Sequence, residues 1–191
     1  MAGVALFDGL GISADERHDF LALLAPSPTA RLLEVGTGAI DAPDASFDAV
    51  LCIDAIAEIR DRQAALADWV RILEPGGRIL YTDPAIVAGL VTNEELATRS
   101  SMGFFVFSPQ GENESLIESA GLRLLRADDA TDTAALLARA RHSERHDREA
   151  ELMLVEGRER YDARQRFLDV ASRLAAERRL ARIAFLAEKM P

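Results

Sequence analysis

Apolar positions recur along this chain with two alternating periods, and the switches between them outline its elements. Ser13 with Glu16 three residues on has the form of a capping box, and Phe20, Leu21 and Leu24 then share one helical face until Pro26 and Pro28 end it. Arg31 to Val35 reads as a short strand running into Gly36-Thr37-Gly38. Phe47 to Asp54 reads as a second strand, apolar enough for burial on both faces. Asp61 stands at an N-cap position ahead of Leu66, Trp69, Val70 and Leu73 at helical spacing. Pro75-Gly76-Gly77 is expected to turn the chain into a third strand, Arg78 to Thr82.

Thr92 and Glu95 form another capping-box pattern, which predicts a short helix near 94–101. The aromatic run Gly103-Phe104-Phe105-Val106-Phe107 suits a strand or a lid. A helix over 112–120 is expected to stop at Gly121, ahead of a strand over 122–126. Two helices follow, 131–156 and 158–178, broken near Gly157, and Leu180 to Leu186 closes the chain as a strand. Arg139 to Arg166 mixes both charges densely, the mark of a solvated face. Strands alternating with helices predict an α/β, Rossmann-like chain with a mostly parallel sheet and helices on both faces. A length of 191 residues fits one domain.

Composition narrows the partners. A hydrophobic share of 49% and a charged share of 28% suit a soluble globular protein. A formal net charge of -10 speaks against a nucleic-acid partner. The one cysteine, Cys52, lies in an apolar run; it cannot form an internal disulfide and reads as a core residue of a reducing compartment. Met1 to Leu10 has no basic n-region, and no stretch reaches the roughly 18 apolar residues of a membrane span. A cytoplasmic location with no membrane partner is the expectation. His142 and His146 lie one helical turn apart without a third ligand, so a charged helix face is expected there and no metal.

The chemistry concentrates after the first strand. Glycines at a strand's carboxyl end let backbone approach a ligand at the crevice where open α/β sheets bind cofactors. Glu34-Val35-Gly36-Thr37-Gly38 is followed in order by Asp44-Ala45-Ser46-Phe47-Asp48 and by Leu73-Glu74-Pro75-Gly76-Gly77-Arg78-Ile79. With these motifs the chain resembles the small-molecule class I S-adenosylmethionine-dependent methyltransferases. Thr92 to Glu95, Arg99 to Phe105 and the terminal Arg182 to Lys189 extend the likeness over most of 31–189.

The resemblance implies that Glu34, Gly36, Thr37 and Gly38 flank the methionine part of S-adenosylmethionine, with Asp54 and Ala55 beside the sulfonium. Glu58 stands where similar sequences often carry a histidine facing the substrate. It is either a base for a hydroxyl, amine or acidic carbon, or a solvated glutamate at a helix start. Ser100, Ser101, Phe104, Phe105 and Tyr161 are candidate walls of an acceptor pocket, with core packing the competing reading of the aromatics. The implied division is a residual cofactor-side core at 31–83, acceptor-side helices and a lid at 84–178, and a final strand at 179–189.

The cofactor half is incomplete. Helix, strand, helix, strand and helix, roughly 60–70 residues, are expected between the glycine motif and the Phe47 strand. Only Ala39 to Ser46 lies there, and Ile40 stands where a third glycine is expected. The acidic residue that grips the ribose and the residue that meets the adenine have no counterparts. Three accounts stay open: residues present in the natural polypeptide and absent from this chain, a true deletion, or a homologue that no longer binds cofactor. An irregular loop or a break is expected between Gly38 and Asp44. The leading expectation is methyl transfer to a small-molecule acceptor. The alternative is a methyltransferase-like protein without methyl transfer, either a binding or dimerising module or a cofactor-independent enzyme. A homodimer is left open.

Overall fold

Two short parallel strands can lie side by side here because a clamped loop replaces the usual helical crossover between them. In the computed structural model, which describes residues 13–191, β1 (Leu32–Glu34) pairs in parallel with β2 (Phe47–Cys52). The Met1 to Leu10 segment lies outside the described residues. Between the strands, 38–44 is an irregular loop without helix or strand, as expected. Arg71 fastens it by donating from Nη1 to the Ala42 carbonyl and the Asp44 carboxylate, both at 2.8 Å. The loop tucks Ile40 and Ala42 against the main core.

β2 pairs in parallel with β3 (Leu73–Val87), which pairs in parallel with the two-residue β4 (Ser108–Pro109). The last strand, β6 (Leu180–Lys189), runs antiparallel to β3 and to β5 (Leu122–Asp129). The order is β1-β2-β3-β6-β5, so β6 alone is reversed and the mostly parallel expectation holds.

Alternation along the strands makes two cores. Val50, Cys52, Ile79, Tyr81, Phe185 and Ala187 face α2 (Arg62–Ile72) and α4 (Glu112–Ser119), from which Leu66, Trp69, Ile72 and Ile117 are buried against them. Their neighbours Ala49, Leu51, Leu80, Ala184 and Leu186 face Phe20 and Leu24 of α1 (Ala14–Leu24). Both faces of the sheet are therefore covered. Cys52 is fully buried in the first core, and desolvation raises its thiol pKa far above the ordinary range, as a packing role requires.

A buried polar knot ties the first core to its edge. Asp83 is fully buried and accepts from Arg62 Nη1 at 2.8 Å, Ser108 Oγ at 2.9 Å and Asn113 Nδ2 at 2.9 Å. Its other oxygen takes the Ala85 amide at 2.9 Å, so β3, β4, α2 and α4 meet on one satisfied carboxylate.

The structure corrects several boundaries. The third strand starts at Leu73 and not at Arg78, because Leu73 already pairs with Phe47 and Pro75-Gly76-Gly77 is accommodated as an irregularity in the ladder. It also runs on to Val87, carried by pairing with β6. Residues 103–107 form neither strand nor helix. The long helix expected over 131–156 is two, α5 (Thr131–Asp147) and α6 (Glu149–Glu156), because Arg148 at φ -107°, ψ 19° leaves the helical region. α7 (Arg158–Ala176) follows the expected break at Gly157. The capping box of α3 (Asn93–Arg99) is complete, with Thr92 and Glu95 bonded reciprocally. That of α1 is half made: Ser13 accepts from the Glu16 amide at 3.0 Å, but the Glu16 carboxylate goes to Arg182 instead.

Candidate functional site

Parallel pairing of β1 and β2 brings their carboxyl ends side by side, with the Val35 amide donating to the Leu51 carbonyl at 2.9 Å. Val35 is buried, whereas Gly36, Thr37 and Gly38 stand in solvent directly beyond it. A side chain at Gly36 or Gly38 would have nothing within 4 Å, and neither glycine has the left-handed φ that excludes other residues. The space at this turn is therefore open, and the protein's own packing does not demand glycine there. Glu34 is half-exposed and pairs with Arg17 of α1.

Beyond β2 the chain turns sharply. Asp54 has φ 59°, ψ -14°, a left-handed conformation that aspartate tolerates better than most residues, and it opens the 3₁₀ turn Ala55–Glu58. Thr82 on β3 fixes that turn twice: its Oγ accepts the Asp54 amide at 2.8 Å and donates to the Asp54 carboxylate at 2.7 Å. Arg182 on β6 donates Nε–H to the same carboxylate at 2.8 Å and reaches Glu16 on α1 through Nη1. Asp54, Glu16, Thr82 and Arg182 thus form one cluster at the sheet's carboxyl end. Burial, and then the neighbouring Asp54 charge, push the Glu16 carboxyl above its usual range, against the pull of Arg182.

Glu58, at the end of the turn, is partly buried, and among the described residues its carboxylate takes part in no ion pair or hydrogen bond. Desolvation, helped by Asp54, raises its pKa. That is the setting of a carboxylate able to take a proton nearer neutral pH.

The acceptor-side candidates separate. Ser100 closes α3 as its C-cap, and Ser101 is exposed with its hydroxyl donated to the Thr98 carbonyl at 2.7 Å. Phe104 is 42% exposed beneath the Arg60 guanidinium, 4.0 Å from its ring centre. Phe105 lies under Arg99, whose guanidinium also covers Phe167 of α7. Tyr161 is buried on α7, with its ring against Arg145 of α5 and its hydroxyl accepting from Gln165 at 3.3 Å. Among the described residues, no three of His, Cys, Asp and Glu gather as a metal site would need.

Sequence reasoning did not single out Glu16, Thr82, Arg99 or Arg182 as site residues. Arg182 carries a readable signal, since it shares strand parity with the inward Leu180, Ala184 and Leu186. Its partners lie 128 and 166 positions away, beyond any local pattern.

Comparison with known proteins agrees with this fold. Residues 13–81 match the family model described as a methyltransferase domain. Over 103 residues the chain is 32% identical to the O-methyltransferase rstn1 of Aspergillus nomiae, covering 52% of this chain and 46% of that protein. The chain thus spans about half the length of this curated relative. The cyclopropane synthase MmaA2 of Mycobacterium tuberculosis superposes with a TM-score of 0.79 at 15% identity, over 96% of this chain and 87% of that one. Haemonchus contortus phosphoethanolamine N-methyltransferase 2, solved with S-adenosyl-L-methionine, superposes with a TM-score of 0.67 at 17% identity, over 78% and 34%. The matched family model, the sequence relative and the sheet together identify this chain as one with the class I S-adenosylmethionine-dependent methyltransferase fold.

Proposed function

We propose that the chain transfers a methyl group from S-adenosylmethionine to a small-molecule acceptor, with residues 31–83 forming the cofactor side and 84–178 the acceptor side. The observation that carries this reading is the union, at the carboxyl ends of β1 and β2, of an open Gly36-Thr37-Gly38 turn with the Asp54 cluster. Glu34 and the glycine turn would hold the methionine end, and Asp54 and Ala55 would lie beside the sulfonium. The cofactor, when bound, supplies a methyl group already activated by positive charge. The protein's part is then alignment, plus removal of a proton where the acceptor carries one.

Two carboxylates share the single Arg182 charge, so the cluster favours a further cation close by. Glu58 is the group placed to take an acceptor proton, and its raised pKa matches that task better than a solvated glutamate's would. Ser100, Ser101, Phe104, Phe105 and Tyr161 remain our proposed acceptor-pocket residues. Among the described residues no helix is long and apolar enough to cross a membrane. We propose a cytoplasmic location and no nucleic-acid partner, and a homodimer stays open.

One observation favours the non-methylating alternative. β1 is the edge of the sheet, so no strand beyond it among the described residues can meet the ribose or adenine. Release of S-adenosylhomocysteine from S-adenosylmethionine across a panel of hydroxylated and amine acceptors tests the choice. Methyl transfer predicts acceptor-dependent release that Glu58→Gln lowers, whereas no release with any acceptor favours a binding module.

A further inference from the structure

β5 closes the sheet at the end opposite β1, and among the described residues no strand lies beyond it. Its eight residues are exposed from Arg123 to Ala127 and again at Asp129. The ladder to β6 shows which backbone groups face outward. The Ala130 amide donates to the Arg182 carbonyl at 2.9 Å, one step along the register that sets Asp129 against Ile183. Directly opposed residues of an antiparallel pair exchange hydrogen bonds at every second position. Asp128 and Arg126 therefore turn their backbone groups to β6, and Ala127 and Asp129 turn theirs to the free edge.

Arg126 and Asp128 flank Ala127 on the α1 face of the strand and pair with each other at 2.8 Å. An open groove of about 550 Å³ lies between them and Phe20 and Leu23 of α1. Charges commonly guard a sheet edge against pairing. Here they differ in sign on the two sides of Ala127, and that arrangement is its own complement. A second copy laid antiparallel, with Ala127 opposite itself, sets Arg126 against the partner's Asp128 and Asp128 against the partner's Arg126. The two Ala127 residues then exchange N–H and C=O, as their outward direction requires. Both charge pairs fall at the positions without backbone bonds, where opposed side chains are closest. The neighbouring registers fail. Centring on Arg126, Asp128 or Asp129 opposes like charges, and centring on Leu125 falls on the irregularity between Leu124 and Arg126.

We propose that two copies of this chain join through β5 as an antiparallel pair centred on Ala127, which makes one continuous sheet of both. The contact is isologous, so it closes on itself as a dimer and does not extend into a fibre. It lies at the far end of the sheet from β1 and the Gly36 turn, so it stands or falls independently of the methyl-transfer reading.

Sedimentation velocity on the intact chain tests this at concentrations up to roughly 200 µM, because a short edge contact belongs to the weak class of interfaces. A shift from monomer to dimer with rising concentration is expected. Arg126→Asp and Asp128→Arg should each weaken the dimer by at least about tenfold, since each sets like charges across the two-fold axis. Arg126→Asp combined with Asp128→Arg should restore it, because the exchanged pairs are again opposite in sign. Ala127→Pro should abolish the dimer and keep the fold, since the N–H it removes points away from β6. Circular dichroism and thermal unfolding check that each variant is folded. A chain that stays monomeric throughout would overturn the proposal. So would a dimer untouched by Ala127→Pro and by both reversals, a folded double variant that dimerises no better than the single ones, or growth into larger oligomers.

Discussion

Arg182 of β6 donates its Nε–H to the Asp54 carboxylate at 2.8 Å, which ties the last strand of the sheet to the left-handed turn after β2. Thr82 holds the same carboxylate from β3. Asp54 is therefore both a candidate cofactor contact and the keystone of a buried cluster. Its removal leaves Arg182 short of a partner in a site that is 2% exposed. Asp54→Ala is expected to lower the unfolding free energy by about 3–5 kcal/mol, with Asp54→Asn losing less because it keeps an acceptor oxygen. Urea unfolding measures this, and variants as stable as the parent would contradict the pairing.

The Arg62–Asp83 knot makes a similar prediction where no ligand is involved. Asp83→Ala strands Arg62 and unties Ser108 and Asn113 together. A loss of about 3–5 kcal/mol is expected. Arg62→Met with Asp83→Leu should recover part of it, because the uncompensated charge is gone. A double variant no better than Asp83→Ala would show that the hydrogen-bond network, and not the charge, holds this edge.

Glu95 sets an acid limit on stability. It accepts from the Thr92 amide at 2.9 Å, from Arg173 at 2.7 Å and from Arg179, and these bonds, the Thr92 amide first, hold its pKa at about 2 against an ordinary 4.5. A depressed folded-state value contributes stability above the unfolded pKa and loses it as pH falls. Stability should therefore decline from about pH 4.5 toward about pH 2, and Glu95→Gln should flatten that decline while lowering stability at pH 7. A variant with an unchanged acid profile would contradict the assignment.

The sign reverses for Glu58. Its pKa is raised by burial, so the ionised form is the strained one in the folded state, and its share of stability is lost as pH rises through the folded value. Glu58→Gln is expected to stabilise the fold at pH 7. If Glu58 is the base, the same variant lowers kcat by about 10²–10⁴-fold and removes an acidic limb lying above pH 4.5. A pH–rate profile with the limb intact in Glu58→Gln would assign the base elsewhere.

How much of this was legible beforehand depends on how local the cause was. Phe47 to Asp54 announced a buried strand by the apolar run Ala49 to Ile53, although the strand ends at Cys52, and Gly121 at φ 76° stopped its helix as expected. Pro75-Gly76-Gly77 misled because its composition says turn, while the pairing of Leu73 with Phe47 keeps it in the ladder. There a Cβ on Gly77 would stand 2.8 Å from the Glu74 carbonyl oxygen and 3.1 Å from that of Asp48, so its glycine is enforced by packing. The break at Arg148 has neither glycine nor proline to signal it. The arginine clusters were illegible for another reason. A charged residue in sequence reads as exposed until the partners that neutralise it, here from α1 and β6, are seen in space.

Titration calorimetry of S-adenosylmethionine into the intact chain, comparing the parent with Gly36→Val, tests the central claim most directly. Position 36 has open space and an ordinary backbone conformation, so valine should leave the fold intact, and any loss of binding reports the ligand. The account predicts saturable binding, weaker than micromolar because β1 is the edge strand and no strand beyond it among the described residues meets the adenosine, and at least about tenfold weaker again in Gly36→Val. No saturable heat in the parent, or equal binding by a folded Gly36→Val variant, would contradict it.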